Sequence, residues 1–172
     1  MRYQIQLATS VDVAFLAAVI DEDRELWHGQ ANGESKAHGL PVDRLLQTCA
    51  CSTQVWAARD SDGTPTALWG VTPVSDDPDV GHLWMLACEQ FDNNPSELES
   101  LSRLVFGEML SQFPRLENYV DARKVRAIEL LRSIGFAVEP AIPRPAADAD
   151  FHRVWIDSDR LLQGGAASPL PN

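Results

Sequence analysis

The stretch LENYVDARKVRAIELLRSIGF, residues 116–136, decides the fold class that the sequence predicts. It begins with a short strand-like run that stops at Asp121. Behind that break, apolar residues recur at helical spacing, and Gly135 suits a left-handed helix cap. The predicted buried stripe consists of Val125, Ile128, Leu131 and Ile134. A strand followed by an amphipathic helix near the end of the chain favours an α/β fold.

The whole chain has the size and composition of one globular domain. It has 172 residues, and 45% of them are hydrophobic. No apolar run approaches the roughly 18 residues that a membrane span needs, so no span is predicted. Three cysteines make an odd number and favour a reducing compartment over a disulfide framework. Residues 1–158 are predicted to form a single domain, and residues 159–172 a disordered tail.

The charge balance argues against nucleic-acid binding. With 14 Lys and Arg against 25 Asp and Glu, the net charge is −11, and such a surface repels phosphate backbones. The local basic candidates lie on one helix, and the helical spacing places them mostly on its solvent face. They are Arg123, Lys124, Arg126 and Arg132.

The first half of the chain predicts a strand, two helices and two strands. Residues 3–7 alternate as a strand does, and Thr9 with Asp12 has the pattern of a capping box that opens a helix. A second helix is predicted from Pro41 to about Thr48, and strands follow at residues 53–60 and 65–74. The buried stripe predicted for the first helix consists of Val11, Ala14, Phe15, Ala18 and Val19.

The second half continues with an almost uninterrupted apolar run, GHLWMLAC, residues 81–88. Such a run is typical of a strand covered on both faces. Ser96 and Glu99 have the pattern of a second capping box, which opens a helix to about Phe113. After residues 116–136, two short strands are predicted at 136–139 and 151–156. The predicted order is β-α-α-β-β-β-α-β-α-β-β, a mixed central sheet flanked by helices.

This order resembles the GNAT (GCN5-related N-acetyltransferase) superfamily, in which a helix ending in Gly-Phe precedes a hairpin strand. The sequence is most similar to a phage family of GNAT-like proteins that includes the internal virion protein A of short-tailed phages. The segments that carry this resemblance are DEDRELWHG (21–29), VWAARDSDGTPTALWGVTPV (55–74), GHLWMLACEQF (81–91), LENYVDARKVRAIELLRSIGF (116–136) and FHRVW (151–155).

The resemblance implies that acetyl-CoA lies between the fourth and fifth strands, with its diphosphate at the start of the next helix. In active enzymes that turn is glycine-rich and basic, because small residues let backbone donors approach a phosphate. Here the turn is CEQFDNNPSE, residues 88–97, which has no glycine, no basic residue and three acids. The cofactor site is therefore predicted to be degraded. Its candidate residues are Leu86, Ala87, Cys88, Asn93, Asn94, Ser96, Asn118 and Arg123.

The candidate catalytic residues are Glu25, Tyr119 and Asp121. The resemblance implies a tyrosine acid in the last helix, but residues 125–134 contain none, and Tyr119 lies one strand earlier. Glu25, or a water held by Asp121, would take the proton of an amine acceptor. Backbone N–H groups at residues 86–88 would polarise the thioester carbonyl. At the corner after the strand, Lys124 stands where the family pattern has asparagine.

Other motifs have simpler interpretations. Trp84 and Met85 are expected in the core rather than in a ligand cleft, and the acids of residues 21–25 on a solvated helix end. Cys49 and Cys51 with His38 lack a fourth metal ligand at useful spacing, so no metal is predicted. The sequence has no hydrolase triad motif, no P-loop and no dinucleotide fingerprint.

Two functions of different class follow. The first is a phage-encoded GNAT-like protein that binds virion or host proteins, located in the host bacterial cytoplasm and in the virion if it is packaged. The second is an active N-acetyltransferase that uses acetyl-CoA and an amine acceptor. A third, weaker alternative is a host-directed protein whose acidic face mimics nucleic acid; salt-sensitive binding to a basic host protein would distinguish it.

Overall fold

The computed structural model describes residues 2–19, 42–88, 91, 94–144 and 148–164. The elements in chain order are β1 (Gln4–Leu7), α1 (Ser10–Val19), α2 (Val42–Cys51), β2 (Gln54–Arg59), β3 (Pro65–Val74), β4 (Asp77–Ala87), α3 (Pro95–Leu110), β5 (Arg115–Asp121), α4 (Val125–Ile134), β6 (Ala137–Val138), β7 (Ile142–Arg144), β8 (Ala149–Asp157) and α5 (Ser158–Gln163).

The strands form one sheet in the order β1-β2-β3-β4-β5-β8-β6, and β7 also pairs with β8. Only β4 and β5 pair in parallel among the described strands, and the remaining pairs are antiparallel. This arrangement confirms the predicted α/β class and its mixed central sheet. The observed order adds one short strand, β7, and one terminal helix, α5, to the prediction.

Helices cover β4 on both sides, as the run GHLWMLAC predicts. Leu83 and Met85 belong to the larger core, which contains the buried faces of α3 and α4. Trp84 and Leu86 point to the opposite face, where they pack with residues of α1 and with Leu45 of α2. All four side chains are at most 3% exposed. Alternation along a single strand therefore supplies both core layers.

The buried face of α1 differs from the predicted one. Val11, Phe15 and Val19 are 72%, 41% and 52% exposed, whereas the buried residues are Asp12, Val13, Leu16 and Ala17. The buried face includes Asp12, whose carboxylate lies 2.7 Å from Arg59 of β2. The residues beside and one turn after Asp12 lie on the same face and pack on the sheet and on Leu45 of α2. An apolar pattern alone could not show that an acid would be buried.

The predicted capping box at Thr9 and Asp12 is confirmed. The Asp12 carboxylate accepts from the Thr9 N–H at 2.7 Å and from the Thr9 hydroxyl at 2.8 Å. In return, the Asp12 N–H donates to the Thr9 hydroxyl oxygen at 3.4 Å. Burial alone would raise the pKa of Asp12. The bonds from Thr9 and the Arg59 guanidinium outweigh burial and hold that pKa below its usual value.

We expect Asp12 to make the stability of the protein depend on acid. A depressed pKa means that the ionised group stabilises the fold above its unfolded pKa of about 3.9, and that this contribution is lost as pH falls through the folded pKa. Asp12→Asn should therefore cost roughly 1–2 kcal/mol at pH 7 and progressively less below pH 4. Urea unfolding at several pH values measures this difference. Asp62→Asn, at an exposed turn, is the matched control, and an equal pH dependence in both variants would contradict the expectation.

The start of α3 corrects a second expectation. The helix begins at Pro95, and its N-cap is Asn94, which makes no side-chain capping bond. Ser96 lies inside the first turn, where its carbonyl accepts from the Ser100 hydroxyl at 2.9 Å. The predicted Ser96–Glu99 capping box is thus wrong. Proline at the first helical position begins the helix two residues earlier because its fixed φ suits that place and it needs no hydrogen-bond partner.

The predicted disordered tail from residue 159 is wrong for residues 159–164. The Asp157 carboxylate accepts from the Arg160 N–H at 2.9 Å and caps α5, which ends at Gln163. Leu161 packs on the larger core. The Arg103 side chain of α3 donates to the carbonyl oxygens of Leu161 and Gly164, at 3.2 and 2.7 Å. Contacts from a distant helix therefore hold this segment, which composition could not reveal.

Candidate functional site

The candidate site is the fork where β4 and β5 separate. The two parallel strands pair at three positions, from Val80 with Arg115 to His82 with Glu117, and the pairing then ends. Beyond that point β4 remains paired with β3 as far as Ala87, and β5 remains paired with β8 as far as Asp121. The two neighbouring strands thus keep their hydrogen bonds to their outer partners, whereas the hydrogen bonds between them end.

Asn118 bridges the two strands where the fork begins. Its Nδ2 donates to the carbonyl oxygen of Leu83 at 2.5 Å, and its Oδ1 accepts from the N–H of Tyr119 at 2.6 Å. The residue is only 4% exposed. Both polar atoms of the carboxamide are therefore engaged inside the protein, at a position where the resemblance predicts a cofactor contact.

The predicted backbone donors on β4 divide between the two sides of the strand. The Cys88 N–H donates to the carbonyl oxygen of Thr66 on β3, at 2.9 Å. Main-chain groups alternate sides along a strand, so Leu86 also directs its N–H toward β3. Ala87 then faces the fork, on the same side as the Leu83 carbonyl that Asn118 contacts. Of the three predicted donors, this geometry leaves Ala87 directed at the cleft.

The start of α3 lies beyond the carboxyl end of β4, where the resemblance places a diphosphate. Pro95 has no N–H, and the N–H groups of Glu97 and Leu98 both donate to the carbonyl oxygen of Asn94, at 3.1 and 3.5 Å. One carboxylate oxygen of Glu97 is buried without a hydrogen-bond partner among the described residues. The first turn of this helix therefore contains an acid, and a proline that offers no donor. The predicted contact Asn93 lies outside the described residues.

Asp121 and the exposed Arg123 form an ion pair at the corner between β5 and α4. The Arg123 guanidinium donates to both carboxylate oxygens, at distances of 2.5–3.1 Å. Hydrogen bonding from Arg123 outweighs burial and lowers the pKa of Asp121 below its usual value. A carboxylate that is stabilised in this way is a weak base, which argues against the predicted role of Asp121 in proton removal.

Tyr119 lies on the face of β5 that is opposite to Leu116 and Val120, which belong to the α3–α4 core. The guanidinium carbon of Arg144 stacks over its ring, 3.9 Å from the centroid. Strand alternation puts Asp121 on the same face. The fold therefore separates the Tyr119 and Asp121 side chains from the core around Asn118. Glu25, the third predicted catalytic residue, lies outside the described residues, as do all the acids of residues 21–25.

A charged network on this same face was not predicted from the sequence. Glu117 binds Arg153 of β8 at 2.7 Å and lies 3.9 Å from the His82 imidazole. Arg153 also contacts Glu139 at 3.2 Å, and Glu139 accepts from the indole N–H of Trp155 at 3.1 Å. The alternation of residues 117, 119 and 121 along β5 indicates that they share one face of the sheet. Their partners on β8 are far away in the sequence, so the network itself could not be predicted.

Trp84 and Met85 belong to the core, as expected. The Trp84 indole N–H donates to the Ser52 hydroxyl at 2.9 Å, and Met85 is fully buried. Burial raises the pKa of the Cys49 thiol to about 11, which disfavours the thiolate form that binds metals. Within the described ranges, no three His, Cys, Asp or Glu residues come close enough to hold a metal ion. No helix in these ranges is long and apolar enough to cross a membrane.

Solved structures of acetyltransferases share this fold. Spermidine N-acetyltransferase from Vibrio cholerae, in complex with CoA and spermine, matches with a TM-score of 0.64 and 11% identity. The match covers 94% of this chain and 98% of that one. A GNAT-family acetyltransferase from Streptococcus pneumoniae matches with a TM-score of 0.60 and 18% identity, over 90% and 98% of the two chains. The chain therefore has the GNAT acetyltransferase fold. No family model and no curated protein matches the sequence.

Proposed function

We propose that this protein is a phage-encoded GNAT-fold protein that acts by binding virion or host proteins rather than by acetyl transfer. The phage assignment is supported by the five sequence segments that resemble the phage family, which extend from residue 21 to residue 155. The loss of acetyl transfer is supported by the start of α3. It is there that this fold would need its strongest phosphate donors.

The chemistry of the α3 start carries the proposal. A CoA diphosphate needs outward-directed N–H groups or cations. Pro95 supplies no donor, the Glu97 N–H donates to the Asn94 carbonyl oxygen, and residues 88–98 contain no Lys, Arg or His. The buried oxygen of Glu97 would add like-charge repulsion, which a partly buried site screens poorly. These residues do not fit acetyl-CoA.

We expect no saturable heat when the protein is titrated calorimetrically with acetyl-CoA, or with CoA, up to about 1 mM. A dissociation constant of about 1 mM corresponds to a binding free energy of about −4 kcal/mol. Pantetheine is the matched control ligand, because it keeps the amide arm and lacks the diphosphate. Micromolar binding of CoA but not of pantetheine would mean that the α3 start still holds phosphate, and would overturn the loss of the cofactor site.

The binding role requires a partner in the particle or in the host bacterial cytoplasm. Mass spectrometry of purified particles, and crosslinking in infected cells, should detect the chain with virion or host proteins. The net charge of −11 predicts that a partner with a basic surface binds more weakly as salt increases. Absence from particles together with absence of any crosslinked partner would contradict the proposal.

The second candidate is an acetyl-CoA-dependent N-acetyltransferase with an amine acceptor. The fork favours it, since β4 and β5 separate after three pairs and a cleft between them is where the fold takes its cofactor. Glu25 would be the base in this case, because Asp121 is held as a weak base by Arg123. Thiol release from acetyl-CoA in the presence of a panel of polyamines and other amines tests it. Transfer to any acceptor would replace the binding proposal.

A further inference from the structure

The hydrogen bonds at the fork follow a simple register. In a parallel pair, each residue of one strand bonds to two residues of the other, and successive rungs involve every second residue. Gly81 lies opposite Leu116, and His82 opposite Glu117. The next rung of this ladder would join the N–H of Tyr119 to the carbonyl oxygen of Leu83. In the structure, the Asn118 carboxamide contacts both of these groups.

We propose that Asn118 is a positioning residue that sets the separation of β4 and β5. Its Oδ1 takes the Tyr119 N–H, and its Nδ2 satisfies the Leu83 carbonyl, so a side chain replaces the missing rung. Inserting an amide group between a donor and an acceptor holds them farther apart than one direct bond of about 2.9 Å. Both main-chain groups stay satisfied in a site that is 4% exposed. The fork is therefore encoded in β5 and needs no ligand to open.

The inference rests on the proposed function only in treating the fork as the ligand cleft of this fold. Any chain that enters between β4 and β5, whether the pantetheine arm or a peptide, would meet the width that Asn118 sets. The test below uses no ligand. A failed CoA titration and a failed test of Asn118 are thus separate results.

Asn118→Ala should let the ladder close by one rung. A crystal structure of the variant is expected to show the Tyr119 N–H donating directly to the Leu83 oxygen at about 3 Å. Since Met85 is the next β4 residue that faces the fork, the exchange protection of its amide should rise at least tenfold. An unchanged fork, with water in place of the carboxamide, would overturn the proposal.

Thr66→Val is the matched control for a lost buried hydrogen bond. Thr66 is 1% exposed, and its hydroxyl donates at 3.1 Å to the carbonyl oxygen of Ala58 on β2, on the side of β3 opposite to β4. It should lower stability without changing exchange at Met85 or Tyr119. Equal changes in both variants would show that Asn118 is merely structural.

Asn118→Asp keeps the shape and provides a second test, should the alanine variant fail to fold. The neutral carboxyl group can donate to the Leu83 oxygen as the amide does, whereas the carboxylate cannot. The introduced group should therefore have a raised pKa. The neutral carboxyl group stabilises the fold fully at pH values below its pKa in the unfolded state. This stabilisation is lost as pH rises through its pKa in the folded state. Relative to wild type, the urea midpoint should recover between pH 7 and pH 4. A difference that does not depend on pH would contradict the inferred donor role.

Discussion

Gly70→Ala is expected to lower the free energy of unfolding by about 3–5 kcal/mol. Gly70 of β3 lies opposite Trp84 of β4, and the indole lies across the glycine. A Cβ atom at residue 70 would lie 2.1 Å from Trp84 Cε2 and 2.4 Å from Nε1. Contacts of this kind cannot exist, so the ring must move. It would leave the α1–α2 core and its hydrogen bond to Ser52.

Urea or thermal unfolding, followed by tryptophan fluorescence, measures the effect of Gly70→Ala. Gly107→Ala is the matched control, because Gly107 lies on an exposed turn of α3 and its added Cβ would meet only Leu161, at 3.9 Å. Alanine in a helix is more favourable than glycine by about 1 kcal/mol, so the control should be slightly stabilised. A Gly70→Ala protein as stable as wild type would show that the indole does not occupy the place above Gly70.

The elements that depend on local sequence were predictable. Periodicity placed β4, α3, β5 and α4 within a few residues of their observed bounds, because most of their apolar residues are buried. In α4, Ile128, Leu131 and Ile134 are buried as predicted, but Val125 in the first turn is 57% exposed, so its predicted burial is wrong. The glycine cap at residue 135 is confirmed by its φ of 114°. In these segments, local preference and tertiary packing agree, and the fold class follows from their order.

Tertiary contacts decided what the sequence could not show. The buried face of α1 contains Asp12, which pairs with Arg59, 47 positions away in the chain. The helix α5 is likewise held by contacts from a distant element, since Arg103 of α3 donates to the carbonyl oxygens of Leu161 and Gly164. In the site, the composition of residues 88–97 predicts a poor phosphate site, but the hydrogen bond from the Glu97 N–H to the Asn94 carbonyl oxygen required coordinates. The bridging role of Asn118 also required them, since it depends on where β4 ends its pairing with β5.

Arg103→Met is expected to cost about 3 kcal/mol, the second-largest effect. The Arg103 guanidinium donates to the Ser133 carbonyl oxygen near the end of α4 at 2.6 Å, and to the Leu161 and Gly164 oxygens near the end of α5. Carbonyl groups at helix ends lack helical partners, and the positive charge also complements both helix dipoles. Methionine keeps most of the apolar stem and removes all three bonds, so the loss measures the charged group rather than packing. Chemical unfolding gives its size, and hydrogen exchange should show α5 opening first.

Two further variants separate the carbonyl contacts from the surface ion pair. Arg103 also lies 3.3 Å from Glu99, one helical turn away, and such exposed pairs contribute less than about 1 kcal/mol. Glu99→Gln should therefore be nearly neutral. Arg103→Lys keeps the charge but lacks the planar fork that reaches two helix ends at once, so it should recover less than half of the loss. If Glu99→Gln cost as much as Arg103→Met, the ion pair would be the main stabilising contact. The docking of α5 would then depend on Leu161, which packs on the core, and on the close approach of Gly164 to Gly135.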